Sequence, residues 1–136
     1  MIPCLLDTDT LSEIIKGRDQ HIHQQAMAYL QAYGSFTFSI ITRYEILRGL
    51  QAKAAMAQIA RFNARCQDSQ VLSLTDDIIE QASQIYGHLH RTGQLISDAD
   101  ILIAATAMVN NLTLVTENRA HFQRIPDLLL THWRET

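Results

Sequence analysis

Short apolar runs alternate along this chain with longer stretches in which apolar positions recur every three or four residues. Short runs suit strands buried on both faces of a parallel sheet, and the spaced stretches suit helices that turn one stripe to a core. The run 2–6 predicts a first strand. A helix capped by Thr8 or Asp9 follows to about Lys16, where Gly17 stops it. His21 to Ala32 reads as a second helix ending near Gly34, and residues 36–40 as a second strand. Thr42 can cap the next helix with Glu45 as the third residue of a capping box. Further helices are expected over 54–66, from Thr75 to about His90, and from Asp98 to about Val109. Strands are expected over 71–74, 112–116 and 128–131, with a turn at Glu117-Asn118.

Helices placed between strands act as crossover connections, which are right-handed almost without exception. The fold class is therefore α/β: a parallel-rich sheet of four to five short strands between two layers of helices. Ligands on such sheets bind beyond the carboxyl ends of the strands, where the strand order reverses. Asp7, Ser39, Thr116 and Asn118 all fall at or just past a strand end.

A length of 136 residues with 47% apolar residues fits one domain over 1–136 that buries its own core. The net charge of −3 argues against a broad basic face for nucleic acid, though a few arginines could line a local channel. Cys4 and Cys66 have neither metal-ligand nor redox spacing and read as reduced thiols. No run is long enough to span a bilayer and the N-terminus lacks signal-peptide character, so a soluble cytoplasmic protein is expected.

The acids carry the candidate chemistry. Carboxylates gathered at a sheet edge repel one another unless a cation or a shared proton relieves them. Each has a local reading as well: Asp7 and Asp98 could cap helices, Asp100 could favour a helix N-terminus, and Glu45 could complete the capping box. The hydroxyls of Thr8, Ser39 and Thr116 could orient carboxylates or bond the nearby backbone. Arg43 and Arg119, with Arg48 and Arg124, could form a basic rim for phosphates. His21 and His23, like His88 and His90, are two residues apart, which on a helix points them to different faces rather than to one ion.

The ordered set Leu6-Asp7-Thr8-Asp9, Ser39 to Gly49 with Glu45, Asp98-Ala99-Asp100 to Ala107, Leu114 to Asn118, Phe122 and Trp133 resembles PIN-domain nucleases of the VapC toxin type. The resemblance spans essentially the whole chain. It implies a PIN-like three-layer α/β/α fold and a magnesium- or manganese-dependent endoribonuclease, a homodimer held inactive by a cognate antitoxin protein. Asp7, Glu45 and Asp100 match the family's central acids, and Asp98 matches an accessory acid. The fourth acidic position falls on Asn118, and His121 stands where an acid often precedes the Phe. A small hard cation that takes oxygen ligands suits such a set. Two alternatives stand beside this reading. Asp7-Thr8-Asp9 also resembles the opening motif of haloacid dehalogenase-like phosphatases, with Asp7 as nucleophile, and a catalytically silent domain of the same fold could bind RNA or protein.

Overall fold

Five strands and seven helices alternate along residues 1–134, the part of the chain described by the computed structural model. They run in the order β1 (Cys4–Leu6), α1 (Thr8–Lys16), α2 (Gln20–Tyr33), β2 (Thr37–Ser39), α3 (Ile40–Ala52), α4 (Met56–Gln67) and β3 (Gln70–Leu72). The second half comprises α5 (Asp76–Arg91), α6 (Asp98–Val109), β4 (Thr113–Val115), α7 (Arg119–Phe122) and β5 (Leu130–Thr131). Residues 135 and 136 of the expected domain lie outside the described residues.

All pairings are parallel, in the order β3-β2-β1-β4-β5. Leu6 stands opposite Phe38, and Leu5 opposite Leu114. The order grows outward from β1 in one direction through β2 and β3, then reverses to β4 and β5. The reversal lies between β1 and β4, and every strand delivers its carboxyl end to the same edge.

Side-chain alternation divides the core into two. Cys4 and Leu6 of β1 and Val115 of β4 face α1, α2 and α4, packing with Leu11, Ile22, Tyr29, Phe38, Phe62 and Trp133. Leu5 and Leu114 face the other way, against Ile78, Ile85, Leu89, Ile101, Ile103 and Phe122. Burying each of these large side chains contributes about 1.5–3 kcal/mol before chain entropy is counted. That the expected apolar runs feed both faces is what makes the sheet a three-layer centre.

Tyr29 joins the first core to the backbone: its hydroxyl accepts from Cys4 N at 3.0 Å and donates to Cys4 O at 3.3 Å. Burial pushes the Cys4 thiol up to about 11 and raises that of Cys66, so neither is an ionised nucleophile near neutral pH. Among the described residues no helix is long and apolar enough to cross a membrane.

Two expected caps are corrected. Asp7, not Thr8 or Asp9, caps α1, its side chain accepting from Thr10 N. Helix α3 starts at Ile40, because the Ser39 hydroxyl accepts from Ile41 N at 3.0 Å and turns the chain before Thr42. Thr42 is consequently buried inside the helix and Glu45 lies beyond the first turn, so the capping box does not form. The Glu45 carboxylate is thereby free for other contacts.

Candidate active site

The carboxyl edge at the strand-order reversal is built around Asp7. It follows β1 directly and is only 4% exposed. Its Oδ1 accepts from Thr10 N at 2.8 Å, the nearby Thr116 hydroxyl also favours the ionised carboxylate, and the Thr10 hydroxyl donates to Val115 O at 3.3 Å. Burial outweighs these donors and pushes its pKa up to about 6, with the neighbouring Asp9 charge adding to the rise. Asp7 thus combines the capping role with a buried carboxylate that, among the described residues, has no salt-bridge partner.

Glu45 is held from α1. The Thr8 hydroxyl donates to Glu45 Oε1 at 2.6 Å and lies 3.0 Å from the buried Thr42 hydroxyl. Arg48 stands one turn on, 3.6 Å from Glu45 Oε2.

Asp100 occupies the first turn of α6, whose cap is Ser97, with Asp100 N donating to the Ser97 hydroxyl at 3.2 Å. Its pKa is raised by partial burial and then by the Glu45 charge, with a smaller push from Asp9, while Ser97 and His121 oppose the rise. The exposed Asp9 therefore acts electrostatically on both Asp7 and Asp100, and Glu45 acts on Asp100. Among the described residues, no three acidic, histidine or cysteine side chains stand close enough to hold an ion without adjustment. The donor chemistry nevertheless fits a hard divalent cation: the gathered groups are oxygen donors, and a cation would relieve the repulsion that raises the Asp100 pKa.

The other expected site residues have diverse placements. Asp98 is exposed at the first position of α6. Ser39 is buried as the cap of α3, and Thr116 accepts from Asn118 N at 2.9 Å while supporting Asp7. The Asn118 side chain meets His121. Arg119 is exposed at the start of α7. The Arg43 guanidinium donates to Asn63 at 3.0 Å and lies beside Cys66, so it joins α3 to α4 instead of standing free at a rim. Thr10 and Thr42 join the site as supporting residues that the sequence motifs do not single out. The i, i+3 spacing from Asp7 was the available signal for Thr10.

A groove of about 630 Å³ opens beside the acids, between α1, α3 and α4. Thr8, Asp9 and Glu45 line its near part. Ile15, Ile46, Leu50 and Phe62 give it an apolar lining, and Lys16, Lys53, Arg61 and Arg65 supply positive charge.

The PIN domain family model matches residues 4–128, nearly the whole of this architecture. The chain belongs to the PIN domain family. It is similar to Ribonuclease VapC1 of Methanocaldococcus jannaschii, with 32% identity over 123 residues, 90% of this chain and 81% of that protein. It is also similar to the tRNA(fMet)-specific endonuclease VapC of Salmonella typhimurium, 28% identical over 98% of this chain and 99% of that one. Among solved structures, DNA-bound VapBC from Salmonella typhimurium matches with a TM-score of 0.86 and 27% identity, covering 98% of this chain and 99% of the other. PIN-domain membership displaces the haloacid dehalogenase alternative, in agreement with an Asp7 carboxylate that is buried and spent partly on a helix cap. The silent-domain alternative is likewise disfavoured by relatives named as ribonucleases.

Proposed function

We propose that this PIN domain is a magnesium- or manganese-dependent endoribonuclease and the toxin of a type II toxin–antitoxin pair. The observation that carries the reading is the placing of acids at the reversal edge: Asp7 buried at the end of β1, and Asp100 at the start of α6 within reach of the Glu45 charge. These three would hold the cation, with Asp98 as an accessory acid at the exposed start of α6. When bound, the ion supplies Lewis-acid polarisation of the scissile phosphate and a more acidic water for hydrolysis.

The chain's own residues prepare that chemistry. Thr10 and Thr116 fix Asp7 from two elements, Thr8 aims Glu45, and the Ser97 cap holds the turn that carries Asp100. Ser39 and Thr116 close β2 and β4 with short local bonds, and Asn118 extends the edge from β4. Arg119 supplies a cation at the open side for RNA phosphates. Arg43, the other expected RNA contact, acts through the packing of α3 on α4.

The basic and apolar groove is the seat for the antitoxin. An amphipathic segment with acidic residues would meet Lys16, Lys53, Arg61 and Arg65 while its apolar side covers Ile15, Ile46 and Leu50. Exposed Ile40 and Tyr44 on α3, with Ile79 and Tyr86 on α5, offer apolar surface to a second copy in a homodimer. Reduced, inert thiols suit a cytoplasmic protein.

The test is incubation of the purified chain with total RNA in magnesium or manganese, with and without EDTA, beside Asp100→Asn. Cleavage that disappears with EDTA and with the substitution supports the reading. Cleavage that persists in both overturns it.

A further inference from the structure

The turn after β4 carries a side-chain pair, Asn118 and His121, whose contact with each other plays no part in the chemistry above. Asn118 Nδ2 lies 2.9 Å from His121 Nδ1, and the same ring nitrogen lies 3.9 Å from Asp100 Oδ2. An amide nitrogen donates, so Nδ1 accepts and the imidazole proton resides on Nε2. The separation from Asp100 is too long for a hydrogen bond. With Nδ1 turned to Asn118, the ring presents Nε2–H on its other side, and among the described residues nothing accepts from it.

Both members of the pair are held in place. Phe122, the next residue, is 1% exposed in the second core, and Asn118 N donates to the buried Thr116 that also supports Asp7. The His121 ring is 46% exposed, which leaves its free edge open to a ligand. The acid of the same turn does not compete for this space: Glu117 Oε2 accepts from Trp133 N at 3.1 Å and Arg134 N at 3.4 Å.

A phosphodiester approaching Asp7, Glu45 and Asp100 is repelled by each of them, and an N–H donor on a ring held close to Asp100 through its other nitrogen offsets part of that repulsion. Hydrogen bonds from side chains to phosphate oxygens set the register of a nucleic-acid strand without reading its sequence. Given the ribonuclease reading, the geometry points to His121 as a substrate-binding residue whose Nε2–H donates to a nonbridging phosphate oxygen of the RNA. Asn118 is the positioning residue that fixes the tautomer and ring angle.

The experiment pairs steady-state cleavage with RNA binding in EDTA, the latter measured in a cleavage-deficient Asp7→Asn background. His121→Ala raises KM and the RNA dissociation constant by about tenfold each, the size expected for loss of one hydrogen bond to a charged group, and lowers kcat less. His121→Gln, whose side-chain amide can present a donor where Nε2 stood, recovers most of that loss. Asn118→Ala raises KM on its own but adds nothing in the His121→Ala background, because its effect passes through the ring. Unaltered binding in His121→Ala, or losses from the two residues that simply add, overturn the assignment. Absence of metal-dependent cleavage by the parent chain would instead count against the ribonuclease reading itself.

Discussion

The Thr8 hydroxyl lies 2.6 Å from Glu45 Oε1, joining the start of α1 to the middle of α3 through a single short bond. One neighbour in sequence to Asp7 thereby orients an acid that the chain reaches only after two helices and a strand. The positions of two candidate ligands are coupled by that contact.

Thr8→Val keeps the shape and removes the donor. A hydrogen bond to a charged group is worth about 1.5–3 kcal/mol, and Glu45 is exposed enough for water to replace part of it. We predict a fall in kcat/KM of about tenfold with little change in melting temperature. Measured rates equal to the parent's, alongside an inactive Glu45→Gln, would show that Glu45 needs no orienting partner.

Asp7→Asn separates activity from stability. The folded-state pKa of Asp7 is raised from 3.8 to about 6, so the folded protein holds this proton more tightly than the unfolded chain. Stability from this group is therefore greatest below pH 3.8 and declines as pH rises through about 6. The full shift corresponds to about 3 kcal/mol, and asparagine still caps a helix well. We predict that Asp7→Asn abolishes cleavage yet raises resistance to urea near pH 7.5, with the gain vanishing near pH 4. Destabilisation at the higher pH would contradict the burial-dominated account of Asp7.

Glu117 provides the contrasting acid. Its carboxylate holds the backbone after β5 through Trp133 N and Arg134 N. Glu117→Ala should cost about 1–3 kcal/mol in chemical denaturation while kcat stays close to the parent value. A collapse of kcat in a folded variant would place Glu117 in the site.

Charge reversal in the groove addresses the antitoxin. Lys53→Glu combined with Arg61→Glu replaces two cations on the groove wall. Inhibition by the cognate antitoxin should weaken by tenfold or more, roughly the effect of one strong interfacial charge pair, and exceed any change in cleavage by the free toxin. Equal loss of both would assign these residues to RNA instead.

Much of this architecture was legible because local signals agreed. Gly17 and Gly34 end α1 and α2 with φ of 65° and 84°, as glycine at those boundaries implied. The helix expected from Asp98 to Val109 has those bounds, since Ser97 and two early acids mark its start. Phe36 to Ile40 was harder: aromatic and β-branched residues suggest a strand throughout, yet the Ser39 hydroxyl ends it and α3 takes Ile40. That local bond also decided the fate of Glu45. Arg43 was misleading because its proximity to Glu45 in sequence says nothing about Asn63, twenty residues on, which captures its guanidinium. The Asn118–His121 contact and the short α7 likewise depend on how the turn folds, which hydrophobic spacing does not encode.

The central strand carries a consequence for biosynthesis. Cys4–Leu6 pairs on one side with β2 but on the other only with Thr113–Val115, and Asp7 is supported by Thr116. During translation the Asp7 carboxylate must wait more than a hundred residues, for residues 113–116 to emerge, before its surroundings can assemble. Closing contacts over that sequence separation carries a large entropic cost and slows folding. A nascent copy therefore has no complete acid edge until β4 and Thr116 have been made, and any latent activity begins only after that point.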